Sequence, residues 1–294
     1  MDTRSFQDCL QGVIDGLREE GYQNRLNIRL EVKNIREERD GAVTAARFFQ
    51  KKGAKLLITL GTIPTVIVLE VTRDSNIPIV YANVGAPDAT GLSRPLPPKP
   101  IRFTGTSMGV PALEQLRFLL LARPGLKRLG ILFCTVTPQA VATGEEAEEV
   151  SRRLGLTPVK GTVPDDRPEI LRETVSDLLH QHIDALFIPS DPVLVKPNNL
   201  KIICAATGRA RVPVMVHSGS SVAYGPLLAY HCDFMEMGRQ AGRQAARLLQ
   251  GVPLEQVPPE VPNTKTLTIN LKVAEEQNFP LSRRLLSQAQ QFYQ

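Results

Sequence analysis

The order of apolar segments predicts an α/β protein made of two doubly wound, parallel-sheet lobes. Three observations carry this reading. Strand-like apolar runs alternate with helical patterns along almost the whole chain, joined by short connections. The rhythm breaks once, over 85–100, where five prolines and two glycines mark a surface excursion rather than an element. After the break the same plan resumes, and 294 residues are enough for two domains at ~150 residues each.

Residues 5–20 place Phe6, Leu10, Val13, Ile14 and Leu17 at helical spacing, and Gly21 is a C-cap signal. Leu26–Val32 alternates as a strand, and a helix over 40–52 ends at Gly53. The strand Lys55–Leu60, the turn Gly61-Thr62-Ile63-Pro64, a helix over 64–74 and the strand Ile77–Ala82 follow. Beyond the excursion, Ile101–Thr106 is a short strand and 109–122 a helix. The strands Arg128–Phe133, Thr157–Val163, Ala185–Pro189 and Val212–His217 then alternate with helices over 138–154, 167–181 and 194–209. Leu227–His231 leads into a long helix, 234–250, closed by Gly251. A proline-rich link, the strand Thr266–Leu271 and a short terminal helix complete the chain.

Composition excludes several classes. No apolar run approaches the ~18 residues of a membrane helix. The net charge of +5 invites a nucleic-acid partner, yet basic residues are interleaved with acids, as in Arg36-Glu37-Glu38-Arg39-Asp40. A nucleic-acid binder shows a basic stripe and stacking aromatics, and here aromatics are 5% with no Trp. Cys9, Cys134, Cys204 and Cys232 make no CxxC or zinc spacing and read as small buried hydrophobes. The start, Met1-Asp2-Thr3-Arg4, carries no apolar signal region.

No P-loop and no GxGxxG fingerprint occurs, and Gly105-Thr106-Ser107-Met108-Gly109 reads as a chain crossing. His180 and His182 stand two apart on a helix and face different ways, so they read as a solvated helix end rather than a metal pair. No metal and no cofactor are expected. Gly219-Ser220-Ser221 misses the GxSxG elbow because position 223 is alanine. His217 and His231 near Asp191 and Asp233 are compatible with a Ser/His/Asp site or with the lining of a binding cleft. The binding reading is favoured, so no enzyme is expected.

A doubly wound sheet takes its ligands beyond the carboxyl ends of its strands. Small polar residues recur there: Thr59 to Thr62, Asn83, Thr135 and Thr137, Ser190 with Asp191, and Ser218 to Ser221. The candidate ligand set is therefore Thr62, Asn83, Thr135, Thr137, Ser190, Asp191, Ser218, Ser220 and Asp233, lining an interlobe cleft. Hydroxyls, amides and helix N-termini suit a small zwitterion, with Asp191 and Asp233 available to its amine or to helix caps.

In these segments the chain resembles the ABC-transporter substrate-binding protein family of the type I periplasmic-binding fold, the group with tryptophan/tyrosine-type members. Phe6 to Tyr22, Ile77-Pro78-Ile79-Val80, Lys127 to Leu132, Asp184 to Asp191 and Val212-Pro213-Val214 carry the likeness. Ser220-Ser221-Val222 followed by Leu228 to Gly242 is its most specific part, and the ending Leu267 to Ala274 fits as well. The resemblance implies a non-enzymatic receptor that closes on a small polar solute, an amino acid foremost, and docks on an ABC permease. A ligand-sensing module of a signalling system is the alternative use of the same fold. It implies crossings near 104–108, 229–233 and 262–266. The first lobe is then 1–105 with 234–262 returning to it, and the second 106–232 with 263–294 returning near the hinge. It also implies a monomer at the periplasmic or membrane-anchored outer face, without nucleic acid. Relatives of this kind open on a strand ahead of the first helix and carry an export signal or lipoprotein cysteine. The sequence as given starts at the helix, so a mature or trimmed chain or a mis-set start codon is expected.

Overall fold

The structure is a computed structural model and describes residues 3–35, 38–90, 92 and 102–294. Of the excursion over 85–100, residues 91 and 93–100 lie outside the described residues, as does Ile101; the described part holds one 3-10 turn, Asp88–Thr90. The chain divides into two compact units, Thr3–Gly109 with Asp233–Thr264, and Val110–Cys232 with Lys265–Gln294.

The first unit contains α1 (Thr3–Glu19), α2 (Arg39–Lys51), β1 (Leu57–Leu60), α3 (Thr62–Val71), β2 (Ile79–Val84) and β3 (Phe103–Ser107). Its three strands are parallel in the order β1-β2-β3. The predicted strand Leu26–Val32 does not form. Arg25 takes φ 68°, its N–H donates to Ile28 O at 2.8 Å, and the Asn24 side chain accepts from Leu30 N–H at 2.9 Å. Leu26 is 75% exposed and Val32 56%. Alternation selects a face, and a strand also needs a partner. Among the described residues, none pairs with 29–35.

The second unit runs α4 (Ala112–Ala122), β4 (Arg128–Cys134), α5 (Pro138–Arg153), β5 (Thr157–Val163), α6 (Pro168–His180), β6 (Ala185–Ile188), α7 (Pro197–Arg209), β7 (Val214–Val216) and β8 (Leu228–Cys232). Helix α8 (Phe234–Leu249) belongs to the first unit. The second unit resumes with β9 (Lys265–Asn270), α9 (Leu271–Glu276), α10 (Arg283–Leu286) and β10 (Gln291–Tyr293). The sheet order is β10-β9-β8-β7-β6-β4-β5. Strands β4 to β8 are parallel, and β9 enters antiparallel to β8, a departure from the wholly parallel sheet predicted. The terminal helix of the sequence reading is two short helices, and β10 follows them, too short at three residues to leave a periodic signal.

Both faces of this sheet are covered, so its central strands are apolar throughout. Ile131, Phe133, Phe187 and Met215 pack on one face with Leu116 and Leu119 of α4 and Val150 of α5. Their neighbours Leu132, Leu186, Ile188, Val214 and Val216 pack on the other with Leu171 and Leu178 of α6 and Ile203 of α7. Each fully buried side chain of this size contributes roughly 1.5–3 kcal/mol.

The first unit has less sheet and leans on a helix pair. Glycines Gly12 and Gly16 of α1 face Gly238 and Gly242 of α8, so the two backbones meet directly. A Cβ at Gly12 would stand 2.0 Å from Met235 O, and one at Gly238 2.1 Å from Cys9 O. Beside this crossing Arg243 bridges Glu19 at 3.1 Å and Glu236 at 2.7 Å.

Candidate functional site

In each unit the polar residues singled out from sequence stand at the carboxyl ends of the parallel strands. In the first unit the turn from β1 into α3 is tied to the end of β2. Gly61 N–H donates to Ala82 O at 2.9 Å, and the Thr62 hydroxyl accepts from Gly85 N–H at 3.2 Å. Thr59 and Thr65 share a buried hydroxyl–hydroxyl bond of 2.8 Å beneath that turn. The N-cap of α3 is Gly61, which supplies no side-chain acceptor, so the first-turn N–H groups keep their positive end uncapped by a side chain. Asn83 sits where the β2–β3 register shifts, with φ 57°; it is buried, and its Oδ1 has no partner.

The second unit has the longer rim. After β4, Thr135 is exposed and its hydroxyl donates to Val163 O at 3.4 Å, while Thr137 precedes α5. The Thr137 hydroxyl makes no cap bond and is shielded without a partner. Gln139 on α5 donates to the Ser190 hydroxyl at 2.6 Å, joining the first turn of that helix to the end of β6. Sequence reading missed Gln139, because a glutamine on a helix carries no motif. After β7, Ser218 and Ser220 share a hydroxyl–hydroxyl bond of 3.0 Å. The Ser218–Ser221 loop lies directly on the His231 ring. A Cβ at Gly219 would stand 2.1 Å from His231 Nε2, so only glycine fits.

Of the two alternatives left open for the two acids, a solute amine or a cap, both side chains serve backbone N–H groups. Asp191 was predicted to aim its carboxylate into a cleft; it is instead fully buried and consumed by backbone. It accepts from Cys134 N–H at 2.6 Å, Val193 N–H at 2.8 Å and Leu194 N–H at 3.0 Å, tying the end of β4 to the loop after β6. Burial raises its pKa, and those three N–H groups pull the other way. Asp233 is the N-cap of α8, accepting from Glu236 N–H at 2.9 Å. Both side chains are short acceptors at the start of a turn or helix, where backbone N–H groups compete for them first.

The Ser/His/Asp reading dissolves in the same way. His231 is held through Nδ1 at 2.8 Å from Cys232 O and through Nε2 at 2.9 Å from the Thr268 hydroxyl. Burial, with His231 nearby, holds the His217 pKa down to about 4. Its Nδ1 is shielded and has no partner. Among the described residues no group of three His, Cys, Asp or Glu could hold a metal ion. Nor is any described helix long and apolar enough to cross a membrane.

Buried polar atoms without partners are uncommon in folded chains and call for a reason. Here Asn83 Oδ1, Thr137 Oγ1 and His217 Nδ1 all lie at carboxyl strand ends, one in the first unit and two in the second. Elsewhere Thr104 Oγ1 inside β3 and Gln277 Oε1 just past α9 also lack partners, as do Glu148 Oε1 and Arg239 Nε, which have Lys160 at 3.0 Å and Glu19 at 3.6 Å.

Comparison with known proteins gives this arrangement a family. The family described as ABC transporter substrate binding protein matches residues 1–293. A tyrosine-binding protein of Clostridioides difficile is 21% identical over 266 residues, covering 90% of this chain and 75% of its own. Among solved structures, an ABC domain in complex with L-Trp from Streptococcus pneumonia superposes with TM-score 0.82 at 22% identity, over 98% of this chain and 95% of that one. A ligand-free, open substrate-binding protein with adhesive properties from Clostridium difficile gives 0.84 at 18% identity, over 100% and 96%. The fold is that of the type I periplasmic binding proteins, shared at lower similarity with a leucine-binding protein of Thermotoga maritima at TM-score 0.67 and 10% identity, over 87% of this chain and 82% of that one. The family is one of extracellular or periplasmic solute-binding proteins, not enzymes; it implies a small-molecule ligand and a permease partner. This chain belongs to the ABC transporter substrate-binding protein family.

Proposed function

We propose that the chain is the solute receptor of an ABC importer, that it binds a small polar solute, an amino acid, and that its two units close on it. The observation that supports this most is the placement of Asn83, Thr137 and His217, whose unpartnered polar atoms stand at the carboxyl strand ends where an α/β sheet takes a ligand. Thr62, Asn83, Thr135, Thr137, Ser190, Ser218 and Ser220 are the proposed solute-facing residues. Asp191 and Asp233 are left out, since their carboxylates already serve the backbone. The relatives named for tyrosine and tryptophan favour an aromatic amino acid. The receptor works as a monomer, outside the cytoplasmic membrane, and delivers its solute to a permease without nucleic acid as partner.

A thermal-shift screen over the twenty L-amino acids, sugars and purines tests the ligand class. A ligand at ~100 times its Kd adds about 2.7 kcal/mol to stability and raises Tm visibly. Stabilisation by sugars or purines alone would refute the amino-acid reading. Small-angle scattering with the stabilising solute tests closure: the radius of gyration falls if the units close, and an unchanged profile at saturation rejects it.

A further inference from the structure

We infer that Gln139 is a positioning residue: it fixes the Ser190 hydroxyl so that its proton goes to the solute, and Ser190 thereby reads the solute's α-carboxylate. The inference rests on the receptor reading above and names the solute group that the end of β6 recognises.

The polarity of the contact comes from its geometry. Gln139 Nε2 stands 2.6 Å from Ser190 Oγ. An amide nitrogen has no lone pair to accept with, so it donates and the hydroxyl accepts. Ser190 keeps its own proton, and among the described residues no acceptor takes it. Both partners are held from behind. Gln139 is 8% exposed and sits in the first turn of α5, where the Thr143 hydroxyl donates to its carbonyl at 2.9 Å. Ser190 stands between β6 and Asp191, whose three backbone bonds pin that loop. A pair held on both sides is oriented before a solute arrives, and less freedom is lost on binding.

The neighbouring hydroxyls show what this adds. Ser218 and Ser220 share a bond in which either oxygen can donate, so that bond sets no direction. Thr135 gives its proton to Val163 O at 3.4 Å. Asp191, the acid next to Ser190, is taken by three backbone N–H groups and does not compete for the Ser190 proton. An α-ammonium has no acceptor atom. The carboxylate of an amino acid has two, and it takes a hydroxyl proton in a short, charge-assisted bond. A directed donor therefore selects the carboxylate end of a zwitterion, and a neutral α-carboxamide gains less from it.

A double-mutant cycle separates positioning from scaffolding. The probe is the L-amino acid that most stabilises the wild-type chain, titrated by calorimetry beside its α-carboxamide. Ser190→Ala removes the proton, and Gln139→Met keeps the side-chain volume while releasing the hydroxyl. The expected result is at least about tenfold weaker binding of the amino acid in Ser190→Ala and about threefold or more in Gln139→Met. The double variant binds no more weakly than Ser190→Ala alone, and the carboxamide loses at most about threefold in Ser190→Ala. Full affinity in either single variant, a further loss in the double variant, or an equal loss for the carboxamide overturns the inference. A residue that merely shapes the site weakens binding whether or not Ser190 keeps its hydroxyl. If Gln139→Met fails to fold, Gln139→Glu takes its place, because its carboxylate accepts the Ser190 proton. It should weaken binding more with Ser190 present than in Ser190→Ala, and an equal loss in both overturns the inference. If another screened solute stabilises the wild type and no amino acid does, the amino-acid reading falls, and the same cycle with that solute upholds or overturns the positioning role. A chain that no screened solute stabilises refutes the receptor reading and the inference together.

Discussion

The two units follow one plan and realise it to different extents. In the second unit β4, α5, β5, α6, β6, α7 and β7 run in order, and β4 lies between β5 and β6 in the sheet. The first unit has α1 in the place of α5, the segment 26–32 in the place of β5, α2 in the place of α6, and β1, α3 and β2 after it. Its sheet, among the described residues, has no strand in the place of β4. Residues 25–27 form a turn and 29–32 enter no ladder; Glu31 reaches Lys52 at the end of α2 at 3.1 Å, and Lys33 just beyond lies 4.4 Å over the Phe48 ring of α2. The difference teaches that an alternating apolar pattern is only a conditional instruction. Phe187, in a continuous apolar run covered on both faces, is fully buried; Val32, in the alternating run, is not.

Mutations can break or sharpen that contrast. The largest effect is expected in the packed sheet: Phe187→Ala should cost about 4 kcal/mol in urea unfolding, because it empties a site enclosed on one face by the α4–α5 layer. Acid comes next and belongs to the same unit. His217 has a folded pKa of about 4 against an ordinary 6.5, so stability is full above 6.5 and is lost as pH falls from there toward 4. The loss is at most roughly 3 kcal/mol, and the fall in Tm between those pH values should shrink in His217→Gln. In the first unit, Gly238→Ala drives a methyl into Cys9 O and should cost about 2 kcal/mol, visible as a lower urea midpoint. Asp191→Ala strands three N–H groups and should cost about 1–2 kcal/mol in stability while calorimetry finds solute affinity unchanged; a large loss of affinity would return Asp191 to the solute. The smallest effect is the most informative. Leu26→Ser with Val32→Ser should stay within about 0.5 kcal/mol of wild type, and a larger loss would mean that the segment is packed after all.

Most elements were legible because their signals are local. Thr157–Val163 was predicted with its observed bounds, and Gly53, Gly155 and Gly251 mark helix ends at positive φ. What could not be read is what depends on partners distant in sequence. The short β10 is held by Leu267 N–H bonding Gln290 Oε1 at 2.8 Å and by the Thr268 hydroxyl bonding Gln291 Oε1 at 3.1 Å, contacts that no periodicity announces. At the candidate site the sequence placed small polar residues and two acids at the carboxyl strand ends, and it could not divide them. An aspartate after a strand looks the same whether its carboxylate faces a solute or three backbone donors. Only the inventory of bonds separates Asp191 from Asn83.

The glycine-faced crossing of α1 and α8 has a consequence for how the chain is made. The two helices that complete the first unit are separated by more than two hundred residues of sequence. On a ribosome, α1 emerges first and must wait for almost the whole of the second unit to be synthesised before its partner exists, at ordinary rates for roughly ten seconds or more. During that time its apolar face, with Cys9, Val13 and Leu17, has nothing to pack on but nascent chain or a chaperone. The unit that begins the sequence is thus among the last to finish folding, and its high contact order makes that closing step slow. A polypeptide built this way keeps the α1 face open until α8 has been made.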